Sequence, residues 1–451
     1  MTTTRPRDPG SVVLGAGRAR GAGSVTHADA VVVGAGPAGA AAAYFLAEAG
    51  HDVVLLDKDA FPRDKVCGDG LTPRAVKALR LLGMDDEAEG NPRGWDRQLG
   101  LRMYGGGVVL NLPWPQLDDF PSHSVTATRS LFDHTLARHA VESGARLWED
   151  TEVTGPVWLS QGRRRVAGVT YQRPDGRHGS VRAPIVVVAD GGSSRLGVQL
   201  GLHRDTRRPM GVAVRAYYRS PRASMGMMEG FLELYRTTPA GQRELLPGYG
   251  WIFPLDDPEA DGEGLVNVGW GLIDTSAHFR ATNYRRTLDE WVAGFPQEWG
   301  VRAETMVGRP RGAGLPMGHN RHPHVHAGAL LIGDAGGMVN PFNGEGISYA
   351  IEAAAFAAEA ADRALRRRSD APLAGYASAV THEWGGYYAL GRAFLKVMGT
   401  PAVMRLCTEY GMPRRALMRF VFRTMAHLTN RRSRDLVDVV VNTLSRAVPA
   451  R

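Results

Sequence analysis

Cysteine, lysine and long apolar segments are scarce in this sequence. The two cysteines, Cys67 and Cys407, stand far apart in a chain of 451 residues and form no disulfide framework, which is typical of a reducing cytoplasm. No apolar run reaches the roughly 20 residues that a membrane-spanning helix needs. Lysine occurs only at positions 58, 65, 77 and 396, so arginine carries most of the positive charge behind the net +8.

A net positive charge is typical of a protein that binds nucleic acid, an anionic membrane surface or a phosphorylated ligand. The sequence contains no zinc-finger, RNA-binding-sheet or basic-zipper pattern, so we do not expect nucleic acid as a partner. Residues 1–27 are rich in glycine, arginine, threonine and serine, without the apolar core of a signal peptide. We predict a disordered extension there.

One short stretch has the order of a dinucleotide-binding unit. Val31–Val33 is an all-apolar run that predicts a strand buried on both faces. Gly34 and Gly36 permit a tight turn beside a pyrophosphate, and Gly39 lets the alanine-rich helix that follows pack closely on the sheet. A second apolar strand ends in Asp57, 18 residues after Gly39, where a carboxylate accepts hydrogen bonds from an adenosine ribose.

Three polar turns follow along the chain. Cys67-Gly-Asp-Gly70 precedes Thr72-Pro73, a pair that predicts the start of a helix. Asp190-Gly191 follows an apolar run. Gly333-Asp334 ends another apolar strand and leads through a glycine-rich segment into a long alanine-rich helix. The helix that begins after this last turn presents free N–H groups to a ligand.

Other segments predict β structure and a helical end. Apolar and polar residues alternate in residues 98–113 on both sides of Gly105–Gly107, a pattern that predicts a hairpin. Residues 210–275 predict strands with turns between them. Arg129 opens a helix, and residues 372–446 are mostly of helical pattern. These features indicate a second, β-rich domain beside the nucleotide-binding unit.

An aromatic strand lies in the β-rich region. Side chains alternate along a strand, so Tyr249, Trp251 and Phe253 share one face. Such a row forms either an apolar wall for a long hydrocarbon ligand or the ordinary core of the domain.

The order of these elements resembles the flavoprotein group that contains the hydroxybenzoate-type hydroxylases, the flavin halogenases and the geranylgeranyl reductases. The turn at 67–70 is similar to one in the geranylgeranyl reductases, and residues 247–254 match that family's P-x-Y-x-W-x-F-P signature. The segments 61–75, 246–255 and 340–347 are similar to the menaquinone reductases beyond the general family pattern.

The resemblance implies a single FAD bound across the nucleotide domain. The cofactor-binding residues that it implies are Gly34, Ala35, Gly36, Pro37, Ala38, Gly39, Asp57, Cys67, Gly68, Asp69, Gly70, Arg129, Val153, Asp190, Asp334, Gly346 and Ile347. Of these, Gly346 and Ile347 would present helix N–H groups to the flavin pyrimidine, where reduction places negative charge.

The expected fold class is α/β, with a Rossmann-like, hydroxybenzoate-hydroxylase-like FAD domain interleaved with a β-rich substrate domain. The expected ranges are 28–95, 125–200 and 325–395 for the FAD domain, 96–124 and 201–324 for the substrate domain, and 396–451 for a helical C-terminal region.

The implied activity is saturation of a carbon–carbon double bond in a polyprenyl chain, with the menaquinone side chain as the first choice of substrate. Geranylgeranyl diphosphate or a lipid-linked prenyl chain is the alternative. The substrate-binding residues would be Tyr249, Trp251 and Phe253. Because an isoprene unit is not activated for hydride addition, we expect protonation to a tertiary cation that Tyr249 and Trp251 stabilise, with Cys67 or a held water as proton donor.

Two other functions use the same elements. An aromatic monooxygenase or halogenase shares the fold, although a halogenase would typically show W-x-W-x-I-P where this chain has Tyr249-x-Trp251-x-Phe253-Pro254. A membrane-attached flavin carrier would bind FAD without turnover. No second nucleotide-binding unit is visible, so NAD(P)H and a ferredoxin-like protein both stand as electron donors.

Four histidines, His319, His322, His324 and His326, precede the strand at 329. Their alternate spacing would suit a metal, but no cysteine accompanies them, and we favour a solvated loop over a metal site.

The C-terminal segment is amphipathic. On a helix, one apolar stripe holds Leu417, Phe420, Val421, Met425 and Leu428, and the opposite side holds Arg415, Arg419 and Arg423. The stripe either lies on an anionic membrane or packs on the protein or a second subunit. The expected location is the cytoplasm, with peripheral attachment to the inner face of the cell membrane in the first case.

Overall fold

The computed structural model describes residues 24–159, 165–238, 240–257, 264–430 and 435–448. The strands are β1 (Ser24–His27), β2 (Ala30–Val33), β3 (Val53–Leu56), β4 (Gly70–Leu71), β5 (Asp96–Gln98), β6 (Gly100–Gly105), β7 (Val108–Pro113), β8 (Ser124–Thr126), β9 (Arg146–Trp148), β10 (Glu152–Trp158), β11 (Val166–Gln172), β12 (His178–Arg182), β13 (Ile185–Val188), β14 (Met210–Arg219), β15 (Met228–Phe231), β16 (Leu234–Thr237), β17 (Arg243–Leu246), β18 (Gly248–Leu255), β19 (Leu265–Ile273), β20 (Met306–Pro316), β21 (Val325–His326) and β22 (Ala329–Leu331). The helices are α1 (Pro37–Glu48), α2 (Pro73–Leu81), α3 (Asp85–Glu89), α4 (Arg129–Glu142), α5 (Arg195–Gln199), α6 (Tyr284–Ala293), α7 (Ile347–Arg367), α8 (Leu373–Met398), α9 (Pro401–Leu406), α10 (Arg415–Met425) and α11 (Leu436–Ala447).

The strand β1 corrects the prediction for the N-terminal extension. Residues 24–27 belong to the stretch predicted to be disordered, yet they pair in parallel with β12. Val25 and Thr26 are β-branched, and the pairing gives their backbone groups partners that a loose chain would find only in water. The rest of the predicted extension, residues 1–23, lies outside the described residues.

A mainly parallel sheet forms the nucleotide-binding half, in the order β21-β22-β13-β2-β3-β9. Its strand β2 is fully buried, as the all-apolar run predicts. Val32 faces one core cluster, whereas Val31 and Val33 face another. The strand therefore supplies apolar side chains to both layers that cover the sheet.

Alanine-rich helices cover one face of this parallel sheet. α1 contributes Ala40–Ala43 to the core, and α7 contributes Ala353, Ala354, Ala357 and Ala361. Small side chains let the two helices approach each other and the strands closely. The other face packs against the sheet β1-β12-β11-β10.

A large, mainly antiparallel sheet forms the second half, in the order β20-β14-β19-β18-β15-β6-β7. The strands β6 and β7 form the predicted hairpin, with Gly105 opposite Val108. The aromatic strand β18 lies inside this sheet between β19 and β15. The predicted α/β class with an interleaved β-rich part and a helical C-terminal region is confirmed.

The C-terminal helix α10 packs on the protein itself, and its buried face coincides only in part with the one predicted: Phe420, Met425 and the following Leu428 pack on the core as expected. Met418 and Phe422 are buried, and Phe422 stacks on Trp114 at 4.5 Å between ring centres. Leu417 is exposed instead, and Arg423, expected on the polar side, is buried. Arg423 donates to Asp438 of α11 at 2.7 Å, so a buried ion pair sets the rotation of the helix.

No helix in the described part of the chain has the length and the apolar character that crossing a bilayer requires.

Candidate active site

The turn after β2 has room only for glycines. A Cβ atom at Gly39 would lie 1.7 Å from the carbonyl oxygen of Gly34, and one at Gly34 would lie 2.4 Å from the oxygen of Ala189. Gly34 also has a φ of +94°, which favours glycine. The close contacts bring the start of α1, with Gly36 as N-cap and Pro37 and Ala38 in its first turn, directly over the turn. The N–H groups at this helix start are directed at an anion.

Asp57 lies at the end of β3, beside this turn. Its Oδ2 accepts a hydrogen bond from the backbone N–H of Ala35 at 2.8 Å. The guanidinium of Arg63 donates to Asp57 at 3.1 Å and to Asp133 at 2.9 Å. Arg63 therefore adds a positive charge next to Gly36, a contribution that sequence reasoning missed because the segment after Asp57 has no regular pattern.

Arg129 lies in the first turn of α4 and is buried. Its guanidinium binds Asp133 through both oxygens, at 2.6 and 2.8 Å. The i,i+4 spacing of these two residues is the sequence signal that points to the pair. Val153 is placed on β10, two residues after Thr151, whose N–H donates to the carbonyl oxygen of Asp57 at 2.8 Å.

Asp190 and Asp334, two further predicted carboxylates, each lie beside a glycine of the predicted site. Asp190 lies against Gly34, since a Cβ there would be 3.1 Å from the Asp190 Cα. Asp334 lies beside Gly346, the N-cap of α7, with 3.3 Å between its Oδ1 and a Cβ placed on that glycine. Ile347 begins α7. A Cβ at Gly333, directly before Asp334, would lie 2.8 Å from the Cβ of Ala38 in α1. The turn at 333–334 and the start of α1, about 300 residues apart in the sequence, therefore meet.

The Cys67–Gly70 turn packs directly on the aromatic strand. A Cβ at Gly68 would lie 3.2 Å from Phe253 and 3.4 Å from the Trp251 indole nitrogen, and one at Gly70 would lie 3.0 Å from Phe253. Side chains at either glycine would push the turn away from these rings. Asp69, between them, has a φ of +64°, a conformation that aspartate tolerates better than most residues.

Tyr249, Trp251 and Phe253 form one continuous row, as predicted. Their ring centres are 5.9 and 6.2 Å apart. The hydroxyl of Tyr249 donates to the carbonyl oxygen of Asn343 at 2.6 Å, which ties the row to the segment before α7. Trp291 lies against Gly250 on the opposite face of the strand.

Burial dominates the electrostatics where the turn and the row meet. It raises the pKa of the Cys67 thiol, against the opposing effect of Arg129, so the thiol holds its proton at neutral pH. Burial also raises the pKa of Asp69 to about 6, although Arg215 favours the carboxylate. The Tyr249 phenol has its pKa raised to about 12 by burial.

Several polar residues that sequence reasoning missed complete the site. Asn267 lies between Trp251 and the Cys67 turn, and Tyr217 donates to Asp69 at 2.7 Å. Thr72 caps α2 and donates to Glu345 at 2.9 Å. No local motif marks Asn267 or Tyr217, because their partners are 198 and 148 residues away in the chain.

The histidine segment is not the solvated loop that the sequence suggested. His319 and His324 are buried with ring centres 4.8 Å apart, whereas His322 is exposed. Burial lowers the pKa of His324 to about 4 and that of His319 well below its ordinary value, so both rings are neutral. Among the residues that the structure describes, no three His, Cys, Asp or Glu side chains are grouped as a metal site requires.

The residues at these turns fit an FAD. The glycine turn after β2 leaves only backbone at the start of α1, as a bound pyrophosphate requires, and Asp57, Asp190 and Asp334 lie at the turns beside the starts of α1 and α7. Comparison with known proteins agrees. Residues 27–263 match the FAD binding domain family.

Curated relatives extend over nearly the whole chain. A menaquinone reductase of Mycolicibacterium smegmatis is 38% identical over 93% of this chain and 96% of its own length. Digeranylgeranylglycerophospholipid reductase 1 of Methanopyrus kandleri is 33% identical over 75% of this chain and 81% of its own length. In fold, the chain is similar to the crystal structure of a geranylgeranyl bacteriochlorophyll reductase-like protein from Thermoplasma acidophilum, with a TM-score of 0.73, 20% identity, and coverage of 93% of this chain and 100% of that one. The chain therefore belongs to the geranylgeranyl reductase family of FAD-dependent oxidoreductases, as its motifs predict.

Proposed function

We propose that this protein saturates a carbon–carbon double bond in a polyprenyl chain, and that the side chain of menaquinone is its substrate. The observation that carries the proposal is the direct packing of the Cys67–Gly70 turn on Trp251 and Phe253. An apolar aromatic row thereby borders one of the turns that fit FAD. The names of the relatives over most of the chain support the same substrate class.

The proposed FAD contacts follow from the placement of the groups. Gly34–Gly39 hold the pyrophosphate, Asp57 the adenosine ribose, and Asp334 the ribityl chain. Asp190, Arg129 and Val153 border the same cofactor, as do the residues of the turn at 67–70. The N-terminus of α7 at Gly346 and Ile347 faces the flavin ring. When bound, FAD supplies the hydride for the reaction.

The protein's own residues supply the proton and stabilise the charge. An isoprene double bond accepts hydride only when the other carbon gains a proton, which creates a tertiary cation. The Cys67 thiol, protonated because burial raises its pKa, donates that proton, and Arg129 stabilises the resulting thiolate. The rings of Tyr249 and Trp251 stabilise the cation by about 2 kcal/mol each when water is excluded.

The test is anaerobic. The FAD-loaded protein is reduced chemically, so that the natural electron donor need not be known, and is mixed with a menaquinone or with a digeranylgeranyl phospholipid. We expect the oxidised-flavin spectrum to return with menaquinone. Reduction of the quinone ring would also add two hydrogens, so the product is reoxidised to the quinone before mass spectrometry, and it should remain heavier by two hydrogens in its side chain. Faster turnover of the phospholipid would favour the alternative substrate, and a spectrum that returns only with oxygen would favour a monooxygenase or halogenase.

A variant at Trp251 tests whether the aromatic row contacts the substrate or is only part of the core of the domain. We expect Trp251→Ala to bind FAD normally and to lose most prenyl turnover, because the cation loses its nearest large ring. Trp291→Ala is the matched control, since it removes an indole from the opposite face of the same strand. Undiminished turnover in Trp251→Ala would contradict the proposed role.

The proposed membrane contact lies on α11, not on the stripe that the sequence suggested. Leu436, Val439, Val440 and Leu444 recur at helical spacing and are 80%, 46%, 42% and 45% exposed. Leu417 of α10 is also exposed, as are Leu406 and Tyr410 in the segment before it. Exposed arginines on α10, at positions 415 and 419, suit an anionic surface.

Vesicle sedimentation tests this contact. We expect binding to phosphatidylglycerol vesicles that falls with salt, and little binding to phosphatidylcholine vesicles. The double variant Leu436→Glu/Val440→Glu should lose binding, whereas Val25→Glu, which also introduces a carboxylate at an exposed aliphatic residue but on β1, should keep it. Equal binding by both variants would remove α11 from the proposed surface.

A further inference from the structure

Asn267 joins the aromatic row to the Cys67 turn through every polar atom of its side chain. The residue lies on β19 and is fully buried. Its Oδ1 accepts a hydrogen bond from the Trp251 indole at 2.9 Å. Its Nδ2 donates to the carbonyl oxygen of Cys67 at 2.8 Å and to the carboxylate of Asp69 at 2.7 Å.

Asn267 bonds to both sides of the contact between the turn and the ring, whereas the other bonds to the Asp69 carboxylate, from the Tyr217 hydroxyl at 2.7 Å and the backbone N–H of Arg129 at 3.3 Å, hold the turn alone. Gly68 and Gly70 lack side chains, so the turn makes no side-chain contacts of its own at these points. The indole N–H of Trp251 is the polar atom that sets the rotation of its ring about the strand, and a buried N–H without a partner is costly. One amide therefore fixes the angle and the distance between the ring and the turn.

We propose that Asn267 is a positioning residue for prenyl reduction, because it sets the plane of Trp251 relative to the turn beside the flavin. The inference rests on the proposed function. A bound prenyl chain lies between groups whose relative placement decides how well a cation and a hydride donor align. Loss of Asn267 should slow the reduction of bound substrate more than it weakens the binding of FAD or lipid.

The isosteric variant Asn267→Asp gives a readout that simple loosening would not produce. It places two carboxylates, on residues 69 and 267, at hydrogen-bonding distance, and such a pair keeps a shared proton to a higher pH than either group alone. When the two carboxylates share one proton, the hydrogen bond between residues 267 and 69 is restored. When both are charged, they repel each other. The titratable and charged groups that face the pair are Cys67 and Asp69 on the turn, Arg129 on α4, and Arg215 and Tyr217 on β14.

The experiment measures single-turnover saturation of a menaquinone side chain, by mass spectrometry after the ring has been reoxidised to the quinone, with the chemically reduced, FAD-loaded full-length protein under anaerobic conditions, across a range of pH. We expect Asn267→Ala to retain FAD and to lose roughly tenfold or more in the rate constant for bound substrate, with its dissociation constant within about twofold. Asn267→Asp should approach the wild-type rate at acidic pH and fall as pH rises. Asn111→Ala, at an exposed asparagine of β7, should match the wild type throughout.

Two results separate failure of the inference from failure of the proposed function. Side-chain saturation by the wild type together with an unaffected Asn267→Ala would overturn the positioning role alone. A wild-type protein that does not saturate the menaquinone side chain would overturn both. Should Asn267→Ala fail to retain FAD, Asn267→Asp decides the matter, and a rate that tracks the wild type at every pH would refute the inference.

Discussion

A single methyl group at Gly39 should disable the cofactor site. The Cβ of Gly39→Ala would lie 1.7 Å from the oxygen of Gly34, whereas real contacts stay above 3.0 Å. Helix α1 must therefore shift by roughly 1.3 Å, the difference between these two distances. Both groups belong to the backbone, so no side-chain rotation relieves the contact.

The shift moves the N–H groups that are proposed to hold the pyrophosphate. Hydrogen bonds to a charged group contribute about 1.5–3 kcal/mol each, so loss of one or two weakens FAD binding by roughly 100-fold. Overpacking lowers the free energy of unfolding by a further 1–3 kcal/mol or so. Titration of the flavin-free protein with FAD and urea unfolding measure the two effects.

Gly375→Ala is the matched control for Gly39→Ala. It makes the same substitution within α8 at a position where a Cβ meets nothing within 4 Å, and it should leave FAD affinity unchanged and stability equal or slightly higher. Wild-type FAD affinity in Gly39→Ala would refute the reasoning, because the helix start would then not carry the phosphate contacts.

Three further predictions concern buried polar groups. Because the pKa of Asp69 is raised to about 6, its protonated form stabilises the fold at low pH, and the free energy of unfolding falls by about 3 kcal/mol as the pH rises from 4 through 6. Asp69→Asn should flatten this pH dependence in urea unfolding of the flavin-free protein, and an unchanged dependence would contradict the prediction. Arg423→Met should lower the free energy of unfolding by about 3–5 kcal/mol, because it leaves the buried Asp438 unpaired, and adding Asp438→Asn should recover part of the loss. Tyr249→Phe leaves the carbonyl oxygen of Asn343 without this hydrogen bond and should cost about 1–3 kcal/mol in thermal unfolding, while FAD content stays at the wild-type level.

The sequence alone determined the features that depend on neighbouring residues. The need for glycine at 34 and 39 follows from backbone sterics in one turn, and the shared face of Tyr249, Trp251 and Phe253 follows from the alternation of a strand. The helix start at Thr72 and the hairpin at 98–113 are likewise local, and the structure has both. Together these motifs were sufficient to identify the family.

The tertiary structure decided the contacts between distant segments. Arg63 gains Asp133 of α4 as a partner 70 residues away, and Asn267 gains the Cys67 turn 200 residues away, which no spacing in the sequence encodes. The prediction for α10 was wrong at Leu417 and Arg423 for the same kind of reason, since apolar periodicity could not reveal that Asp438 of another helix would compensate the charge of Arg423. Burial of His319 and His324 also depends on which segments cover the loop. Steric limits on the backbone depend on adjacent residues, which the sequence gives directly. The free energy of a buried polar group depends on all the groups around it, which only the tertiary structure gives.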